Sequence, residues 1–238
     1  MGGPLTVFEL VGLPGAGKTT LARGLLARLA AQGRTSGERE LTPRRGMTRA
    51  RHLTRLAGFT LARGRYVPST LRLATAVKPP TAARMLSAAR LAVWPYRLSV
   101  ARARGFDTVV LDQGILQSAW CVLLEGSLGR EDLLSDAIEE VLAGCGVEFA
   151  FISVDLDVVQ AAARIHARDA LYAPFDRSEQ ETLRLLSQHA EQLERVVAAG
   201  IRATGAPHIR VDGSGPLEES AARIEAFVDR VIGSVACR

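Results

Sequence analysis

The chain has 238 residues, 47% of them hydrophobic and 23% charged, with a formal net charge of +5. That length can bury a substantial core as one large α/β domain, and the longest apolar runs are strand-length, far short of the roughly 20 residues a membrane-spanning helix needs. Three cysteines, Cys121, Cys145 and Cys237, are an odd number without metal-like spacing. This excludes a disulfide-held scaffold and fits a reducing compartment, with Cys121 and Cys145 expected to pack in apolar surroundings. The opening Met1-Gly2-Gly3-Pro4 has no basic region followed by an apolar one, so a cytoplasmic location is expected.

Residues 6–11 read as a buried first strand, 12–17 as a loop, and 18–31 as a helix with Leu21, Leu25, Leu26 and Leu29 at helical spacing. The loop is Gly12-Leu13-Pro14-Gly15-Ala16-Gly17-Lys18-Thr19, in the strand-to-helix context that a phosphate-binding P-loop requires. Glycines let the backbone turn its N–H groups inward onto phosphate oxygens, and the helix behind presents its positive end. The expected nucleotide-binding set is Gly12, Pro14, Gly15, Ala16, Gly17, Lys18, Thr19 and Thr20, with Lys18 on the β- and γ-phosphates and the Thr19 hydroxyl on Mg²⁺. ATP and Mg²⁺ are the implied cofactors.

A second strand is expected over 35–42, with Glu38 and Glu40 on the same side. Beyond it the charge divides. Residues 41–104 hold thirteen Arg and Lys78 and no acidic residue, a net +14, whereas 105–238 hold eleven basic and twenty-two acidic residues, a net −11. The basic segment reads as mostly helical: 48–63 with Leu53, Leu56 and Phe59 on one face, then 81–104 with Met85, Leu86, Ala89 and Val93, until Pro95 forces a kink or a break. It admits three readings: an acceptor-binding region drawing in an anionic substrate, a surface lying against nucleic acid or membrane, or a contact with the acidic remainder of the chain. The acceptor reading takes Arg44 and Arg97 as substrate-binding, and its sparse aromatics argue against nucleic acid.

Residues 107–112 form a short apolar strand ending at Asp112, a place for a carboxylate that holds the metal or orients an acceptor, with Gln113 and Gln117 behind it as candidate acceptor contacts. A helix follows over 115–124, apolar enough to offer a homodimer face, and another over 130–143. Residues 147–155 make the strongest strand signal, 158–168 the next helix, 178–199 a long amphipathic helix, 208–211 a last strand and 216–232 the closing helix. Arg164 and Arg168 share a helix face and could fold over a triphosphate as a lid, joined by Arg177. His52, His166, His189 and His208 show neither metal nor triad spacing and read as structural. Strands alternating with helices imply a parallel sheet covered on both faces, with ligands beyond the strand C-terminal ends.

Together GLPGAGKTT, VVLDQG, VDLDVVQAAARIHARD and VDGSGPLEESAARI resemble, in order, the thymidylate kinase-like branch of the P-loop nucleoside and nucleotide kinases. The resemblance implies a P-loop NTPase three-layer sandwich: a five-stranded parallel sheet with helices on both faces, one domain over 1–238, a helical acceptor-binding insert at 41–104 and a mobile lid at 156–178. It gives Lys18 and Thr19 the phosphate and metal roles, starts the family's Asp-Arg motif at Asp112, puts Arg164 and Arg168 in the lid and sets the loop at Gly213 beside adenine. Two departures bear on the acceptor. The Arg expected after Asp112 is Gln113, and the stretch through Glu38, Glu40 and Pro43 only loosely echoes the family's Arg-Glu-Pro-Gly pattern. For a hydroxyl acceptor Glu38, Glu40 or Asp112 could be the general base, and a phosphate acceptor needs none. The expected catalytic set is Lys18, Asp112, Arg164 and Arg168, with Glu40, Gln113, Gln117, Arg44 and Arg97 around a nucleotide, nucleoside or other polar acceptor. A specialised-metabolite or antibiotic kinase on the same scaffold is the alternative enzyme, and a regulatory ATPase that binds nucleic acid or membrane the alternative class.

Overall fold

The computed structural model describes residues 4–31, 35–37, 41, 64, 66–78, 81–124, 131–167 and 178–236. Glu38, Glu40, Arg44, His52, Arg168, Arg177, Cys237 and the helix expected over 48–63 lie outside the described residues. In chain order the elements are β1 (Thr6–Gly12), α1 (Lys18–Ala30), β2 (Thr35–Gly37), α2 (Val67–Ala76), α3 (Ala82–Ala103), β3 (Thr108–Leu111), α4 (Ile115–Leu123), α5 (Glu131–Cys145), β4 (Glu148–Asp155), α6 (Val158–His166), α7 (Glu179–Thr204), β5 (His208–Asp212) and α8 (Leu217–Ala236).

The strands run parallel in the order β2-β3-β1-β4-β5. Four strands of four or more residues carry the sheet, and β2 joins its β3 edge with only three. β1 lies at the centre and is buried along its whole length, as a parallel strand covered on both faces must be. Alternation along the strands sorts the core into two layers. Phe8, Leu10, Val110, Ile152, Val154 and Val211 pack against α1 and α8. Val7, Val11, Val109, Leu111, Phe149 and Phe151 face the layer that contains α3 to α7. Among the described residues no helix is long and apolar enough to cross a membrane.

Four sequence expectations are corrected. The second strand expected over 35–42 covers only 35–37 within the described residues. The helix α2 lies between the two helices expected in the basic segment and was not among them; Pro68 stands in its first turn, where its missing N–H has no partner to lose. α3 is not broken at Pro95, and its core face differs from the expected one: Met85 and Leu86 are exposed, while Ala88, Leu91, Trp94, Leu98 and Ala101 are buried. Pro95 itself is buried against α5 where that helix presents Gly144, so tertiary packing offsets the roughly 3 kcal/mol that an interior proline costs. Finally, α4 is no dimer face: Ile115, Leu116, Ala119, Trp120, Val122 and Leu123 are all buried within the chain's own core.

Candidate active site

The carboxyl end of β1 opens into the glycine loop. Gly15 and Gly17 hold φ of 90° and 91°, values that a side chain would strain. Gly12 and Gly15 meet a second constraint, close approach. A Cβ on Gly12 would stand 2.4 Å from the Val154 carbonyl oxygen, its neighbour across β4, and one on Gly15 would stand 2.9 Å from the Ala161 carbonyl oxygen on α6. At these two positions the loop is therefore pressed against β4 and α6 with no room for a Cβ. Gly17 caps α1 without a side-chain hydrogen bond, and no acidic residue occupies the first turn. The helix start is thus left to an outside anion. Lys18 is 9% exposed and its Nζ donates to the carbonyls of Gly12 and Leu13 at 2.7 and 2.8 Å, while Thr19 and Thr20 are exposed at the same end.

Two other expected residues converge on this loop. The Arg164 guanidinium on α6 donates to the Gly213 carbonyl at 2.8 Å, and its Cβ flanks Gly15. Gly213 N–H donates to the Asp155 carbonyl at 2.7 Å, so close to the P-loop that a Cβ there would come 2.8 Å from the Ala16 carbonyl oxygen. Asp157 caps α6 by accepting from the N–H groups of Val159 and Gln160. The Asp212 carboxylate accepts from the Ser214 hydroxyl and N–H, which, helped by Gly215 N–H and the Arg164 charge, hold it below the usual carboxylate range.

Asp112 follows β3 directly and is half-buried, with Gln113 exposed beside it. Their loop is held from below by a residue the sequence reading passed over. Glu9 projects from β1, 0% exposed, and one carboxyl oxygen accepts from the N–H groups of Leu116 and Gln117 at 2.7 and 3.2 Å. It thereby caps α4, whose own cap residue, Gly114, has no side chain to do so. A Cβ on Gly114 would lie 2.4 Å from the Glu9 carboxyl carbon.

Above this loop α3 and α4 enclose a cavity of about 240 Å³, lined by Ser87, Arg90, Trp94 and Arg97 from one helix and by Gln113, Gln117, Ser118 and Cys121 from the other side. Spacings of three and four put the α3 residues on one face. Trp94 Nε1 donates to Ser118 Oγ at 3.2 Å, and the Arg97 guanidinium lies over the Trp94 ring at 4.8 Å. Gln117 is 6% exposed, and its Oε1 has no hydrogen-bond partner among the described residues. Cys121 lines the cavity and does not simply pack. Burial pushes its thiol pKa up, while the charges of Arg90 and Lys18 both pull it down.

The expected residues Gln113, Gln117 and Arg97 meet here, whereas Gly213 and Arg164 meet on the other side of the loop. The sequence pattern hides Arg90 and Trp94 because it sets the apolar face of α3 on Met85, Leu86, Ala89 and Val93; the 87–90–94–97 period is the available signal. Arg84 escaped it too. Only 3% exposed, it donates to the carbonyls of Val122, Leu124 and Val77, tying α3 to the end of α4, and burial lowers its pKa. The described histidines have structural partners: His166 with Thr182, His189 with Gln192, His208 with Ser153.

A second cavity of about 390 Å³ lies on the β4–β5 side, walled by Gly12 and Leu13, the end of β4 and α7. Asp155, Asp157, Glu191, Glu194 and Asp212 line it with Arg210, which is ion-paired to Asp155 and Glu194. Among the described residues no group of three or more His, Cys, Asp or Glu could hold a metal ion by itself.

No protein-family model matches the chain, and no curated protein sequence matches it. Solved structures do. A deoxyadenosine kinase from M. mycoides with products dCMP and a flexible dCDP bound superposes with a TM-score of 0.55 at 13% identity, covering 94% of this chain and 99% of that one. The same enzyme with bound dATP gives 0.52 at 14%, with the same coverage. The likeness spans nearly the whole of both chains, and it shows that this chain shares the α/β fold of those deoxyadenosine kinase structures.

Proposed function

We propose that the chain is an ATP-dependent phosphotransferase that moves the γ-phosphoryl group to a small polar acceptor held between α3 and α4. The observation that carries this reading is the glycine loop with Lys18 at the carboxyl end of β1, beside β3, whose following loop supplies Gln113 to the cavity between α3 and α4. The loop and the cavity thus follow neighbouring strands of the sheet. The loop fits a triphosphate, since Gly15 and Gly17 give it the left-handed turns that point backbone N–H groups inward, and the α1 start carries no competing anion. Bound there, ATP supplies the phosphoryl group and Mg²⁺ offsets its charge.

In this reading the amides from Gly12 to Thr20 seat the phosphates, and Lys18 exchanges its two carbonyl partners for phosphate oxygens. Thr19 and Asp112 would hold Mg²⁺, Arg164 would close over the phosphates together with Arg168, and Gly213 would lie beside adenine. Gln113, Gln117 and Arg97 hold the acceptor, as would Glu40 and Arg44 from the segment they occupy. An acceptor oxygen forms the new bond to the γ-phosphorus as the bond to the bridging oxygen breaks, and ADP leaves with that electron pair. If the oxygen belongs to a hydroxyl, its proton passes to a carboxylate, Glu38, Glu40 or Asp112; a phosphate oxygen has none to give.

The test is a metabolite-pool phosphorylation with ATP labelled at the γ position. Label should move to a small acceptor, and Lys18→Ala should reduce transfer by about 100-fold or more, as loss of one preorganised donor to developing charge does. Deoxynucleosides enter the pool first, given the fold likeness. Label released only as free phosphate, at a rate raised by RNA, DNA or lipid vesicles, would replace this reading with a regulatory ATPase.

A further inference from the structure

We propose that the outer surface of α2 and α3 docks on an anionic lipid bilayer, setting exposed aliphatic side chains into the headgroup boundary between basic ones. The first observation is a helix face with the wrong chemistry for water. α3 buries Ala88, Leu91, Trp94 and Leu98 against the rest of the chain, so its opposite side should be polar. Instead Ala82, Leu86, Ala89 and Val93 follow one another at spacings of four, three and four, with Met85 beside them. Val93 is half-buried and the other four are exposed, Leu86 to 54%. This is the stripe whose pattern predicts a core face, and it is turned outward. α2, which is consecutive with α3 and packs on it, adds Leu71, 46% exposed on its own outer side.

The second observation is the charge that borders this face. Arg72, Lys78 and Arg90 are exposed on and between the same two helices, and the sequence from 41 to 104 contains no acidic residue. A carboxylate that α5 brings to α2, that of Glu140, accepts from Ser69 on the buried side of that helix. Three partners compete for such a surface. A second copy in two-fold contact would set two segments of +14 against each other. A nucleic acid would answer the charge and leave Leu71, Met85 and Leu86 in water, while the rings on which bases stack, Tyr66, Trp94 and Tyr96, are buried. An anionic bilayer answers both, since its phosphates meet the basic side chains and its acyl boundary takes the aliphatic ones. The contact stays at the membrane surface, because no described helix is long and apolar enough to cross.

The test is sedimentation of the full chain, without nucleotide, with vesicles of phosphatidylcholine alone or mixed with phosphatidylglycerol. The mixed vesicles should bind about tenfold more tightly or better, with affinity falling as salt rises. Leu71→Ser and Leu86→Ser should each weaken that binding by about tenfold, and Arg72→Gln combined with Lys78→Gln by about tenfold together. All four positions are exposed, so melting temperatures should hold. Failure to sediment with the mixed vesicles, or binding unmoved by both leucine variants, would overturn the inference. A lowered melting temperature for Leu86→Ser would overturn it too, by showing that the face is covered within the chain. So would a concentration-dependent dimer that the leucine variants dissolve, if vesicle affinity is absent. No ATP is present, so failure here leaves the phosphotransferase reading untouched, and failure of phosphoryl transfer leaves the docking surface untouched.

Discussion

The two cavities flanking the glycine loop are opposites. On the β4–β5 side five carboxyl groups surround one arginine already paired twice, while on the α3–α4 side Arg90 and Arg97 line the cavity with no acidic residue among its described lining. Their chemistry follows the chain, since the acid-rich cavity draws on residues after 105 and the basic one on the acid-free stretch before 104. The fold sets them on either side of β1. The described lining thus segregates the two signs of charge on either side of the glycine loop.

The comparison can be broken hardest at the wall the loop shares with the acidic side. Gly12→Ala places a methyl group 2.4 Å from the backbone of Val154, where no side-chain rotation relieves it, so β1 and β4 must part. We expect about 3 kcal/mol of destabilisation, read in denaturant melts, together with weakened ATP binding. On the basic side, Arg84→Met removes the clamp between α3 and α4 and leaves the Val122 and Leu124 carbonyls without their donor. About 2 kcal/mol should be lost. Acceptor affinity should fall while nucleotide affinity holds; equal loss of both would show that the two cavities do not act independently.

The smallest effect is one of pH. His208, bonded to Ser153, has its pKa lowered first by burial and then by Arg210, with Asp155 and Glu194 opposing. The unfolded chain therefore binds the proton more readily. The stability from the neutral ring is fully present above the unfolded value of about 6.5 and is lost as pH falls through the lower folded value. Melting curves between pH 7.5 and 5 should show this decline, and His208→Asn should flatten it without touching the basic cavity.

Some of this was written in the sequence. The P-loop needs backbone freedom, a cation and a hydroxyl at fixed local spacing, so Gly12, Gly15, Gly17, Lys18 and Thr19 were legible without neighbours, as were the strongly apolar β1 and β4 and the caps of α6 and α7. The basic character of 41–104 was equally plain. What it served was not. α3 turns a face toward the core that its own hydrophobic pattern did not favour, because Trp94, Pro95 and Leu98 find partners on α4 and α5 that no local window contains. Glu9 reads as an ordinary strand residue until β1 and α4, more than one hundred positions apart, are brought together. Local chemistry determined where a phosphate-binding loop is to be expected. Only the tertiary structure decided which side chains face it across the cavity, because that choice depends on burial shared between distant elements, a quantity with no period along the chain.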